Sequence, residues 1–537
     1  MTQESSTRAT IVDGQACLGI ELGSTRIKAC LTDDAGTILA TGSASWENQL
    51  VEGLWTYPLE AVRTGLQAAY ASLVAAAEER HGASPTSYGA IGVSAMMHGY
   101  LAFDAEDELL VPFRTWRNTN TGPAAAALTE AFGQNIPLRW SIAHLYQAML
   151  DREPHVPRVR WFTTLAGYVH RLLTGRRVLG AGDASGMFPL DPASGDYDAA
   201  SVLRFQELAA AEGQAVDLAD LLPSVLPAGA EAGTLTPEGA ALLDPTGALE
   251  AGSLLCPPEG DAGTGMVATN AVRPRTGNVS AGTSIFAMVV LERPLDRVHP
   301  EIDIVTTPDA HLVAMVHCNN GSSELGAWVG LFGEFAAALG NAADPDEVFQ
   351  AVLGDALDAD VDADGLLAYN LLSGEPIAGV DEGRPLFVRT PGSRLTLAGF
   401  ARAQLYGVFA ALSLGMRTLT AEGVTVDTMF AHGGLFRTGG VAQRALAAAI
   451  ASPVAVSEGA GEGGSWGIAV LASYARAVRD GAASPDQLAA WLEERIFRSS
   501  DAQVVAPSAA DITGYAAFLE RWRKGLAIER AAIAALE

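Results

Sequence analysis

The chain carries one short unit twice. Leu22-Gly23-Ser24-Thr25-Arg26-Ile27 and Ala281-Gly282-Thr283-Ser284-Ile285-Phe286 both set a glycine and hydroxyl residues between apolar runs. Runs joined in this way predict a tight β-hairpin. One hairpin opens each half of a chain of 537 residues, a length beyond one ordinary core. The repeat therefore predicts a duplicated architecture of two large domains. Backbone N–H groups in a Gly-bearing turn can point outward and form a concavity for an anion. Two such turns suit successive phosphates of a nucleotide, and a plain pair of surface turns has the same composition.

The second hairpin follows a rigid entry. Residues 254–292 pass from Pro257-Pro258 through a Gly-rich bend, Glu259 to Gly265, that carries Asp261. A carboxylate and a phosphate-compatible turn thus lie close in sequence, at an expected domain seam.

Charge and composition narrow the partners. The net charge is −28, which argues against a nucleic-acid surface. An anionic ligand must then be met by local donors against the overall field. No apolar run reaches the ~18 residues that span a bilayer, and the polar start lacks a signal-peptide core. Cys17, Cys30, Cys256 and Cys318 show neither disulfide nor zinc-ligand spacing. These features lead us to expect a soluble, cytoplasmic protein. The only lysines are Lys28 and Lys524. Lys28, beside the first hairpin, is either a strand-edge residue or a ligand contact.

The remaining candidates follow the chain. Residues 17–40 predict a three-stranded antiparallel meander. A buried strand from Tyr88 to Met96 runs into Met97-His98-Gly99, and strand ends of this kind present ligand-facing side chains in α/β folds; a core histidine fits as well. The polar loop at residues 112–121 surrounds Trp116 with Asn118, Asn120 and threonines, a set that suits a polyol stacked on an indole or simply a capped loop. The strand Leu312 to Val316 leads to His317–Gly321, a loop expected to face a ligand. Thr428 to Ala431 leads through His432-Gly433-Gly434 into an Ala-rich helix, where glycines permit close ligand approach. Glu458 to Gly464 forms a second Gly-rich turn.

Together GIELGSTRIK (19–28), IGVSAMMHG (91–99), the Trp116 loop, LAGYVHRLLTG (165–175), EGDAGTG (259–265), NVSAGTS (278–284) and HGGLFRTGGVAQ (432–443) resemble the FGGY carbohydrate kinases, in family order across residues 16–480. The resemblance implies an α/β fold of two actin-like (ribonuclease H-like) ATPase domains with mixed sheets and a central cleft. It implies a frayed tail at 1–15, a sugar-binding domain at 16–272, an ATP-binding domain at 273–480 and packed C-terminal helices at 481–537. Asp261 matches the family's catalytic base. Gly23, Ser24 and Thr25, with Lys28 beyond them, match the first phosphate hairpin. Gly282, Thr283 and Ser284 match the second. Gly433 and Gly434 match the adenosine turn, with Gln443 on the following helix. Met97, His98, Trp116 and Asn118 match sugar contacts, as in ketopentose kinases.

The resemblance also implies ATP and Mg²⁺, with a small-molecule sugar as partner, and it admits a homodimer. Two positions depart from the family. Glu21 stands where an aspartate is usual near the metal, which suggests contact through water. Asn118 and Asn120 stand where an acid and an arginine are common. The expected activity is ATP-dependent phosphorylation of a ketopentose such as xylulose or ribulose. Another ketose, a polyol or an aldonate stays open as the substrate, as does a non-catalytic ATP-binding regulator.

Overall fold

The computed structural model describes residues 3–214, 216–456, 463–498 and 502–536. The chain forms two units: residues 1–272 with 304–313 and 459–499, and residues 273–303 with 314–458 and 500–537.

The start of the chain is not a frayed tail. Helix α1, Gln3–Val12, is anchored because Ile11 is buried in the core and Arg8 Nε donates to the Gly82 carbonyl at 3.3 Å. The expected meander follows as β1 (Cys17–Leu22), β2 (Arg26–Thr32) and β3 (Ile38–Ser45), all antiparallel. Helix α2 (Leu59–His81) buries Val62, Leu66, Ala69 and Leu73 at helical spacing. Strand β4 (Ala90–Ala95) is buried throughout and pairs parallel with β1. Strands β5 (Gly233–Thr234), β6 (Leu254–Leu255) and β7 (Glu259–Gly260) complete the sheet, ordered β5-β6-β4-β1-β2-β3 with β7 also on β4. Helix α3 (Asp261–Ala268) leaves β7 directly.

The second unit repeats the plan. Strands β8 (Thr276–Ala281) and β9 (Ile285–Val290) form an antiparallel hairpin. Strands β10 (Ile302–Thr306) and β11 (Leu312–Cys318) extend it on one side. On the other side β12 (Thr428–His432) lies parallel to β8. Helix α4 (Val441–Ile450) separates β12 from β13 (Val454–Val456), and β14 (Gln503–Val505) closes the edge. In both sheets the first hairpin strand takes a parallel neighbour on its free side, which is the duplication expected from the two turns.

The domain limits read from sequence change. The Gly463–Arg479 helix was expected with the ATP-binding domain and instead belongs to the first unit. Its backbone lies directly on β1 and β4, because a Cβ on Gly19 or Gly92 would run into it at Ser465, Ile468 or Ala469. Residues 304–313 also group with the first unit. The C-terminal segment divides. Phe497 packs edge-on against Trp466 in the first unit, and Trp522 stacks on Tyr369 in the second, 5.2 Å between centroids. Of the second Gly-rich turn, residues 458–462 lie outside the described residues. No single helix among the described residues is long and apolar enough to cross a membrane.

Candidate functional site

The first hairpin owes its shape to two aromatic side chains. Gly23 N donates to the Arg26 carbonyl at 3.0 Å and closes the turn. Trp46 Nε1 donates to the Gly23 carbonyl at 2.7 Å, and the Tyr57 hydroxyl donates to the Ser24 carbonyl at 2.6 Å. The two rings stack with centroids 4.1 Å apart. In a planar trans peptide the N–H points opposite to the C=O. With both carbonyls drawn toward Trp46 and Tyr57, the N–H groups of Ser24 and Thr25 point together to the other side. That is the donor arrangement of an anion-binding turn. Neither Trp46 nor Tyr57 was singled out from sequence.

The second hairpin reaches the same arrangement by other means. The last ladder pair is Ala281 with Ile285, so its turn holds residues 282–284, whereas Leu22 pairs with Ile27 around residues 23–26. Gly321 N donates to the Thr283 carbonyl at 2.7 Å, and Ser322 N donates to the Gly282 carbonyl at 2.9 Å. The N–H groups of Thr283 and Ser284 then face away from residues 321–322. The loop expected to face a ligand is therefore, at Gly321, a brace behind the turn. Gly433 comes close to this turn from β12. It adopts φ +117°, and a Cβ there would collide with the Ala281 carbonyl; only glycine combines that backbone with that approach. Gly434 is exposed with open space where a Cβ would stand.

Asp261 is the first residue of α3, placed there by the parallel pairing of Glu259 and Gly260 with Ser94 and Ala95. Its Oδ1 accepts from Met97 N at 3.2 Å. Burial pushes its carboxyl up to about 6, against the lowering effect of that backbone hydrogen bond. Two further carboxyl groups stand behind it. Glu259 is fully buried and accepts from Gly182 N at 3.3 Å and Asp183 N at 3.0 Å. Glycines 180 and 182 give it room, since a Cβ on either would meet its carboxylate. Asp183 accepts from the Thr164 hydroxyl at 2.6 Å, while its Oδ1 is buried without a partner. Burial, with a contribution from Asp261, pushes Asp183 up to about 7. In the sequence Glu259 stands out only as part of a bend, and Asp183 not at all.

The sugar-contact candidates fare unequally. His98 is buried at φ +67°, its Nδ1 is 3.1 Å from the Gly186 carbonyl, and its ring stacks on Trp140. Burial lowers it to about 3, so the ring is neutral. The Met97 side chain lies between Gly186 and Gly260, each of which would clash with it if given a Cβ. Trp116 is 37% exposed and available for stacking. Asn118 is not: its Oδ1 accepts from Trp55 N at 2.9 Å and its Nδ2 donates to the Trp55 and Thr115 carbonyls at 2.8 and 3.1 Å. Its amide is committed to the loop's own fold. Gln443 Nε2 ties the Val454 and Gln503 carbonyls at 2.8 and 2.7 Å.

Glu21 pairs across the ladder with Lys28, and its carboxylate reaches the start of the Gly463–Arg479 helix, where a Cβ on Gly464 would lie 2.5 Å from Oε1 and 3.0 Å from Thr264 Oγ1. Among the described residues no group of three or more His, Cys, Asp or Glu side chains is arranged to hold a metal ion.

Comparison with known proteins bears on the family and the fold. The family model described as FGGY family of carbohydrate kinases, N-terminal domain, matches residues 16–247, and the C-terminal domain model matches residues 277–476. The chain is 25% identical over 190 residues to the xylulose kinase of Lactococcus lactis subsp. lactis (strain IL1403), a stretch covering 32% of this chain and 36% of that protein. Its structure resembles a xylulose kinase from Rhodospirillum rubrum with a TM-score of 0.75, at 20% identity, over 96% of this chain and 99% of that one. It resembles a gluconate kinase from Lactobacillus acidophilus equally well, with a TM-score of 0.75, 18% identity, and 96% and 98% coverage. These likenesses identify the fold.

Proposed function

Because the chain belongs to the FGGY family of carbohydrate kinases, we propose that it transfers the γ-phosphoryl group of ATP to a sugar hydroxyl, with Asp261 as general base. The observation that carries this reading is the placement of Asp261, first residue of α3 with its Oδ1 held by Met97 N at 3.2 Å. Burial pushes its carboxyl up to about 6, which leaves it ionised at neutral pH and basic enough to take the proton of an attacking hydroxyl. Phosphoryl transfer otherwise asks for positioning and charge neutralisation, and the paired N–H groups of Ser24 and Thr25 and of Thr283 and Ser284 supply donors for phosphate oxygens. Gly433 and Gly434 form a turn that a nucleoside can approach closely. Met97, His98 and Trp116 are the candidates for the sugar; His98 is neutral, and with its Nδ1–H donating to the Gly186 carbonyl its Nε2 is left as an acceptor. Lys28 stands on the strand leaving the first turn. A magnesium ion, when bound, neutralises developing phosphate charge. Glu21 would hold it through water, since Mg²⁺ commonly keeps several waters.

A ketopentose is the favoured acceptor, supported by the xylulose kinase likenesses and the Met97–His98 segment. An aldonate is the second reading, and the equal likeness to a gluconate kinase favours it. A coupled ADP-release screen over ketopentoses, ketohexoses, polyols and aldonates separates them. Asp261→Asn is expected to lower turnover by ~10²–10⁴-fold with ATP binding retained. In the wild type kcat/KM should fall tenfold per pH unit below about 6, as Asp261 takes up its proton. Near-wild-type turnover by the variant, or an acid limb it shares with the wild type, would remove Asp261 from the role.

A further inference from the structure

Gly321 and Ser322 brace the second hairpin, and they are themselves held from behind. Asn320 Oδ1 accepts from Leu372 N at 2.9 Å and Ser373 N at 3.0 Å. Its Nδ2 donates to the Ser373 carbonyl at 3.2 Å and to Glu375 Oε2 at 3.1 Å. Its backbone N donates to the same Glu375 oxygen at 3.2 Å. Asn370 Nδ2 donates to the Gly321 carbonyl at 2.7 Å. All these groups lie in the second unit, and Asn320, Asn370 and Glu375 are buried. A chain of bonds therefore runs from Glu375 through Asn320 to Gly321 and Ser322, and from them to the carbonyls of Thr283 and Gly282.

We propose that Asn320, with Glu375 behind it, is the positioning residue for the phosphate-facing N–H groups of Thr283 and Ser284. The physical reason is direction. The turn's N–H groups face outward only while its two carbonyls are drawn toward residues 321–322. A loop freed from residues 370–375 lets those peptide planes rotate, and the two donors cease to converge. A buried amide that fills both its acceptor and its donor capacity fixes such a loop better than apolar packing does, because each lost bond strands a buried polar group. The Glu375 Oε1 atom, buried without a partner, shows that this carboxyl is kept in place against a desolvation cost. The inference rests on reading Gly282–Ser284 as a phosphate turn.

The test is calorimetric titration of the full-length protein with ATP and, separately, with adenosine, which has no phosphate. Asn320→Ala should weaken ATP about tenfold and leave adenosine within twofold. Asn320→Asp sets a second carboxylate against Glu375 and should weaken ATP at least as much. Adding Glu375→Gln to Asn320→Asp should recover part of that loss, because an amide again faces a carboxylate. Equal weakening of ATP and adenosine, or unchanged ATP binding in Asn320→Ala, overturns the positioning role. A wild type that binds ATP no more tightly than adenosine overturns the phosphate-turn reading itself, a different result from either.

Discussion

The two hairpins reach one backbone arrangement by opposite routes. At Gly23–Thr25 the carbonyls are held by side chains, the Trp46 indole and the Tyr57 hydroxyl. At Gly282–Ser284 they are held by backbone N–H groups of Gly321 and Ser322, with a polar network behind them. The first brace is an aromatic pair and the second is a loop that must come very close. The first turn should thus be sensitive to losing atoms behind it and the second to gaining them. Identical turn chemistry in sequence does not imply identical support.

Four substitutions press on this comparison. The largest effect is expected from Gly321→Ala. Gly321 does not occupy positive φ, so alanine suits its backbone, yet a Cβ there would collide with the Gly282 carbonyl and lie 2.8 Å from that of Thr283. The turn must shift, and displacement on this scale costs on the order of 10²-fold in kcat/KM for ATP. A melting temperature close to wild type would show that the loss is local. Trp46→Phe and Tyr57→Phe each remove one hydrogen bond and keep a ring. At about 1 kcal/mol per neutral bond, kcat/KM for ATP should drop about fivefold in each. Because the rings stack, the double variant should depart from additivity. The smallest effect belongs to Ser322→Ala, which removes the hydroxyl bond to Gly282 at 3.0 Å and keeps the N–H bond; a loss of about twofold is expected. If Ser322→Ala proved as harmful as Tyr57→Phe, the division into side-chain and backbone support would fail.

Much of the architecture was legible because it is local. The β1–β3 meander, β4 and the strand before His317 are apolar runs closed by turn residues, and their pairing needs no distant information. Asp261 stands out as a candidate through its Gly-rich setting. What escaped has partners far along the chain. Nothing near Asn118 reveals that its amide is bonded to Trp55, and nothing near Gln443 reveals the carbonyls of Val454 and Gln503. Glu259 reads as part of a bend until Gly180 and Gly182 are seen beside its carboxylate. Asp183 is unremarkable in sequence, and its unpartnered oxygen appears only once the fold buries it. Polar side chains in the sequence mark candidates; whether each faces a ligand or another backbone is decided by tertiary contacts.

The Gly463–Arg479 helix lies on the strand that contains Gly19, and that placement has a consequence for the order of synthesis. Strand β1 leaves the ribosome well before the helix that covers it. At ~5–20 residues per second, the sheet waits on the order of half a minute or more for its cover. During that interval the glycine-bearing face of β1 and β4 is open to other nascent chains or to chaperones. A fragment ended at residue 272 keeps that face bare, and it is expected to be recovered mainly as aggregate unless a peptide spanning residues 463–479 is supplied during refolding.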